Sequence, residues 1–360
     1  MTALGDDCEP NVRRALAEAL AGARGAPRAL VVALVNDASR VAAPLLARSP
    51  ILTDVELAEC AAVGDSVAQE LIARRPAVGE APADALAEKG SRDAVAALLG
   101  NCGARLSQKA LLRIRERFAE DEGIKDAILA RGETSASFKA ELLREKAQAF
   151  VASLSDAPGR ERAAREAIDR RDAALVSVAA TCRRTDLGAF VRTLRERAAL
   201  TTTLLLRAAL SGEREMFAMA LAELAGISPA RAAELTRARS EGVAALMAKA
   251  GLPAHAAPAF RAALAALDAH SADDGEGLRP DLVSATIAAC EARNDPALAP
   301  VVALLWRFAA EAARVEAREI VVPRADPPQR LPSKLTFSPA NDADPPLLIA
   351  AAIAAKRRAA

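Results

Sequence analysis

One short pattern that returns five times between residues 9 and 131 constrains this chain more than anything else in it. Each copy has a small or acidic turn, then an aliphatic residue with a second one four places on: Val12/Leu16, Val41/Leu45, Val67/Leu71, Val95/Leu99 and Ile124/Ile128. The first members stand 29, 26, 28 and 29 residues apart, a period typical of a repeated structural unit. Residues at i and i+4 share one face of a helix, so each pair marks a helix. Asp65 and Asp93 sit two residues before Val67 and Val95, and Glu122 two before Ile124. There they meet the positive end of the helix dipole and can accept from free backbone N–H groups. A second apolar segment precedes the marker in three copies: Leu30 to Val35, Glu56 to Cys60, and Leu111 to Ile114. Two helices per repeat follow. One such hairpin cannot bury both apolar faces, whereas stacked neighbours can, and the expected architecture is a curved α-solenoid.

Composition supports the class. Hydrophobic residues make up 52 % of the chain but aromatics only 2 %, with one Trp and no Tyr, so the core must be built from Ala, Leu and Val. That mixture favours closely packed helices. Only Glu319 to Val322 hints at a strand, and the predicted class is all-α. The turns are readable too. Arg48 Ser49 Pro50 closes a helix, because the residue before proline is pushed out of helical space. Thr53 and Glu56 have capping-box spacing, and Ser107 is an N-cap. Pro44, three residues after Val41, predicts a kink or a late helix start.

Pro/Gly punctuation at Ser155 Asp156 Ala157 Pro158 Gly159 separates a repeat domain, residues 1–154, from a second helical domain, residues 155–320. The latter opens on a charged helix from Arg160 to about Arg171. Leu187, Phe190, Val191 and Leu194 then mark one apolar face, and Met216, Phe217, Ala220, Leu221 and Leu224 another that ends at Gly226. Ser228 and Pro229 read as N-cap and first helical position, and Gly251 Leu252 Pro253 ends a further helix. Residues 280 to 318 form a last hairpin broken near Asn294 Asp295 Pro296, with Trp306 and Phe308. Residues 321–360 are the tail. Seven prolines between Pro323 and Pro346 make an extended linker, followed by an apolar helix from Leu347 with a basic tip, Lys356 Arg357 Arg358.

Three motifs carry a family resemblance over roughly the first two-thirds of the chain: Ser49 to Leu57 (SPILTDVEL), Leu71 to Arg75 (LIARR) and Leu98 to Ser107 (LLGNCGARLS). They resemble the HEAT-like repeat proteins of alphaproteobacteria known as domain of unknown function 2336. The resemblance implies the repeat fold and a bacterial cytoplasmic setting. That family supplies no accepted activity and no catalytic residue, so no site is carried over.

The residues themselves argue against most chemistry. Lys and Arg number 48 against 47 Asp and Glu, without the basic excess of a phosphate-backbone binder. Cys8, Cys60, Cys102, Cys182 and Cys290 are odd in number and hold no Cys-x-x-Cys, which counts against a disulfide framework or zinc. They read as core hydrophobes of a reducing compartment. Met1 to Asp7 lacks a signal-peptide run, no stretch approaches the ~20 apolar residues of a membrane span, and a cytoplasmic location is expected. His255 and His270 lie 15 residues apart and read as surface or cap residues. No Walker loop or Gly-x-Ser-x-Gly elbow occurs, and Gly275 Glu276 Gly277 follows no strand. With Gly275 at the sixth place of an EF-hand loop, the ligand positions would be His270, Ala272 and Asp274, which do not suit calcium. No cofactor, metal or catalytic residue is assigned.

The expected function is a non-enzymatic protein–protein interaction scaffold or adaptor, regulatory in character, that holds a protein partner along its concave face. The alternative is a HEAT-like nucleic-acid binder, disfavoured by neutral charge and scarce aromatics; an enzyme ranks third. Arg13, Arg14, Arg40, Arg74, Arg75 and Arg92 lie near the repeat turns, either lining one edge or serving as internal ion-pair partners. From Arg160 to Arg207 eleven arginines face six acidic residues. Pairs such as Arg162/Glu166 and Arg165/Asp169 suit a solvated face, with Arg183, Arg184, Arg192 and Arg195 as the docking alternative for an acidic or phosphate-bearing partner. The tail from Leu347 to Arg358 offers docking on an open end of the array, exchange into a homo-oligomer, or contact with a membrane surface.

Overall fold

A computed structural model describes residues 9–154, 159–237, 242–269 and 277–321. Cys8, Ser155 to Pro158, His270, the Asp273 to Glu276 loop, the proline-rich linker and the final apolar segment lie outside the described residues. Those described hold nineteen α-helices, two 3₁₀ turns and no strand. The protein is all-α.

In the first half, α1 (Pro10–Leu20), α3 (Ser39–Arg48), α5 (Ser66–Ala73), α7 (Arg92–Gly100) and α9 (Glu122–Ala130) are the marker helices. Between them run α2 (Arg28–Val35), α4 (Asp54–Val63), α6 (Glu80–Lys89) and α8 (Gln108–Arg117). Each marker helix packs on the next marker helix, α1 on α3 through to α7 on α9, while α4 packs on α6 and α6 on α8. This next-but-one contact is the stacking expected of helical hairpins whose apolar faces are completed by their neighbours.

Local capping follows the sequence closely. Thr53 and Glu56 form the capping box, with Glu56 Oε2 accepting from Thr53 N at 2.9 Å. Asp65 and Ser107 accept from Ala68 N at 2.8 Å and Ala110 N at 3.0 Å. Two caps sit earlier than expected. Ser91, not Asp93, accepts from Ala94 N, and Asp121, not Glu122, accepts from Ile124 N, since the shorter side chain at the extended residue bends back best onto the first turn. Pro44 is buried inside α3, which begins at Ser39 and so does not start late.

The repeat register shifts by one place in α5 and again in α1. Val41, Leu45, Val95, Leu99, Ile124 and Ile128 are buried, but Val67 is 56 % exposed, and in α5 the buried pair is Ala68/Ile72. In α1 the deepest residue is Ala17, one place beyond the marker Leu16. The inner positions are then Ala17, Leu45, Ile72, Leu99 and Ile128.

Beyond α9 the array continues through α10 (Ala136–Ser153), α11 (Arg160–Thr181), α12 (Arg184–Glu196), α13 (Thr202–Leu210) and α14 (Arg214–Ala225). Here α10 packs on α12, α12 on α14 and α11 on α13, so next-but-one stacking persists where the sequence shows no period. Helix α10 belongs to two cores. Phe138 and Leu142 join the residues of α7 to α9, whereas Ala136, Ala140 and Leu143 join the large core that reaches Phe308. The charged helix α11 runs ten residues past the expected Arg171.

Next come α15 (Pro229–Arg237), α16 (Gly242–Lys249), α17 (Ala257–Ala269), α18 (Pro280–Glu291) and α19 (Ala299–Val321). Gly226 closes α14 at φ +64°, a left-handed turn that glycine adopts without penalty. Residues up to 313 form one compact unit, and residues from 314 belong to a second, of which 314–321 are described. The hinted strand at Glu319 to Val321 is helical. Pro296–Ala317 is long and apolar enough to cross a membrane by length and composition, with mean hydropathy 1.3. Arg307 and Glu311 break up this run in the sequence, and Val301, Leu305, Phe308 and Ala312 bury its inner side.

Candidate functional site

The arginines of the repeat turns fall into two groups with opposite roles. Arg75 follows α5 and reaches back to the end of α3, donating to Leu46 O and Ser49 O at 2.7 Å each. Arg117 ends α8 and donates to Ala87 O at 2.7 Å and Gly90 O at 2.8 Å, at the end of α6. Arg131 follows α9 and serves the end of α7, donating to Leu99 O, Asn101 O and Ala104 O at 2.8 to 3.0 Å. Asn101 does the same for α5, with Nδ2 donating to Ala73 O at 2.8 Å and Arg75 O at 2.7 Å. Each such residue satisfies carbonyls that a helix C-terminus leaves open and sets a cation, or an amide, at the negative end of its dipole. Burial lowers the pKa of Arg75 and Arg117, though a guanidinium stays charged.

The second motif of the turns, Asn101 Cys102 Gly103 Ala104, is explained by the same packing. Val78 pairs with Ala104 in an isolated parallel bridge, with Val78 N donating to Gly103 O and Arg105 N to Val78 O. A Cβ on Gly103 would lie 2.0 Å from Pro76 O, so only glycine fits. Buried Gln69 ties three helix ends together by donating to Ala61 O and Lys89 O and accepting from Ser91 N.

Of the other candidate residues, Arg13 is held by Asp37, whose hydrogen bond with it lowers the Asp37 pKa. Arg74 pairs with Glu70 one turn away, and Arg92 with Asp121 at 2.9 Å. Arg184 pairs with Glu215 at 3.1 Å and Arg195 with Glu223 at 3.2 Å, both reaching from α12 to α14. Arg14, Arg40, Arg183 and Arg192 are exposed. The ten residues therefore do not converge on one site. On α11, Arg162 pairs with Glu166 as expected, but Arg165 turns back to Glu161, because Asp169 is taken by Arg307 of α19.

Apolar surface is the other feature. Val55, Val63 and Val67 are 64, 87 and 56 % exposed, on α4 and at the start of α5. A groove of about 310 Å³ runs between α10 and α11 with Leu143, Ala147, Phe150 and Ala167 beside Lys146 and Arg170. The Arg170 guanidinium lies 5.2 Å from the centre of the exposed Phe150 ring, a cation–π contact. His255 is exposed in a 3₁₀ turn, Cys60, Cys102, Cys182 and Cys290 are free thiols, and among the described residues no group of three His, Cys, Asp or Glu could hold a metal.

No curated protein and no solved structure matches the chain. A bacterial family, described as uncharacterised protein conserved in bacteria (DUF2336), matches residues 41–296, from the second marker helix to the turn before α19. By that match over most of its length, the chain belongs to the uncharacterised bacterial family DUF2336.

Proposed function

We propose that this protein is a non-enzymatic interaction scaffold, acting in the cytoplasm, on which a helical-hairpin array holds a protein partner. The observation that carries the reading is the exposure of Val63 and Val67 on the two sides of one turn, with Val55 exposed at the other end of α4. Large aliphatic side chains left together in water mark contact surfaces. Val63 and Val67 flank the Gly64–Asp65 turn, so one partner surface reaches both. The internal arginine clamps support the same reading, because they fix neighbouring layers and leave the apolar turn rigidly presented.

The test is affinity capture of the tagged full chain from its native lysate, with and without nuclease, beside the double variant Val63→Glu/Val67→Glu. A stoichiometric protein that survives nuclease and is lost with the variant supports the scaffold. Equal recovery by the variant would reject the valine surface, and recovery that collapses with nuclease would favour a nucleic-acid binder instead.

A further inference from the structure

Helices α10 and α11 and the turn from α12 to α13 enclose a second cavity, of about 130 Å³. Three guanidinium groups reach its wall: Arg144 from α10, Arg171 from α11 and Arg197 at the end of α12. Glu141 is the one carboxylate in the lining, and it is shared. Its Oε1 accepts from Arg197 Nε at 2.6 Å and its Oε2 from Arg144 Nη2 at 3.0 Å.

Donors remain unspent. Arg144 gives Nη1 to Gln148 Oε1 at 2.6 Å and Nη2 to Glu141, and keeps its Nε, which is buried with no hydrogen-bond partner. Arg197 uses only Nε, leaving both Nη groups without a partner among the described residues. Arg171 gives Nε and Nη2 to one oxygen of Asp172, at 3.0 and 2.6 Å, and keeps Nη1. Asp172 is fully buried, and burial raises its pKa. The wall also contains Ala198, at φ +50°. That left-handed residue closes α12, with Ala199 N donating to Leu194 O at 2.8 Å, and so fixes Arg197 against the cavity.

We infer that this cavity binds a tetrahedral phosphate group, as the free anion or as a phosphomonoester. Three guanidinium groups that each keep a donor converge beside a single carboxylate, and such donors suit the several oxygens of a phosphate. Neither the scaffold reading nor the valine surface is needed for it.

The experiment is calorimetric titration of the full chain with inorganic phosphate, with chloride at matched ionic strength as control. Wild type is expected to show saturable single-site binding. Arg197→Gln, at a half-exposed side chain, and Arg144→Gln are each expected to weaken it at least tenfold, while Arg231→Gln, outside the cavity, leaves it unchanged. Heat no different from chloride, or full affinity in Arg197→Gln with native circular dichroism, would overturn the assignment; should Arg144→Gln not fold, Arg197→Gln decides alone. Competition by O-phospho-L-serine would identify an esterified phosphate as the ligand, and phosphate binding without that competition the free anion.

Discussion

Arg207 of α13 grips Glu311 of α19 through two parallel hydrogen bonds of 2.7 Å each, with the Phe308 ring 4.6 Å from its guanidinium carbon. Arg207 is 1 % exposed, while the Glu311 side chain keeps 32 % of its surface, so the charge at risk is the arginine. Glu311→Ala leaves that charge buried and unpaired, and is expected to cost about 2–3 kcal/mol, below the ~3–5 of a fully buried pair because water reaches the edge. Replacing both residues, as Arg207→Met/Glu311→Met, should recover much of this loss. Urea denaturation of the two variants measures it.

The register of α5 gives a sharper contrast. Ile72 is fully buried and Val67 mostly exposed, although the repeat pattern in the sequence points to Val67. Ile72→Ala should destabilise by about 2–5 kcal/mol and Val67→Ala by less than about 0.5 kcal/mol. Equal losses in thermal or urea unfolding would refute the register.

Arg131 and Arg74 are both arginines beside a repeat turn, yet only one is structural. Arg131→Met strips the donors from several carbonyls at the end of α7 and should cost about 2–3 kcal/mol, the scale of buried acceptors left unpaired. Arg74→Ala removes an exposed i, i+4 pair and should cost no more than about 0.5 kcal/mol.

Two carboxylates should give opposite pH slopes. The hydrogen bond from Arg13, joined by Ala38 N–H, holds the Asp37 pKa below its usual value. Its contribution is present above the unfolded pKa of about 3.9 and is lost as pH falls through the lower folded value. The gap between wild type and Asp37→Asn therefore closes in acid. Burial raises the Asp172 pKa. Its folded state favours the proton, so stability from this group is full below about pH 3.9 and lost as pH rises through the raised value. Asp172→Asn should accordingly gain on wild type as pH climbs from about 4. Unfolding free energies of the three proteins at pH steps from acid to neutral check both signs.

Much of the chain was legible because the signals are local. Thr53 and Ser107 cap as expected because a side-chain oxygen needs only the next few N–H groups. The apolar face of Leu187, Phe190, Val191 and Leu194 is buried as read, since its spacing alone defines a helical stripe. The arginine candidates were less legible. Arg75 and Arg131 each stand seven residues after the inner residues Ala68 and Ile124, a recurrence that becomes visible only once the register of α5 is corrected. Nothing in the sequence signalled Arg144, Arg171 and Arg197 as neighbours, because they come from three helices up to 53 residues apart.

The sequence by itself determined the all-α class, the hairpin period and most helix boundaries, because these depend on spacing and on contacts within a few residues. Tertiary structure decided which of two overlapping aliphatic pairs faces inward in α5, which arginines clamp carbonyls and which meet water, and that stacking continues through α14. Those outcomes depend on what lies against a helix, and from α1 to α14 most helices pack on the next but one along the chain, a neighbour no local pattern describes.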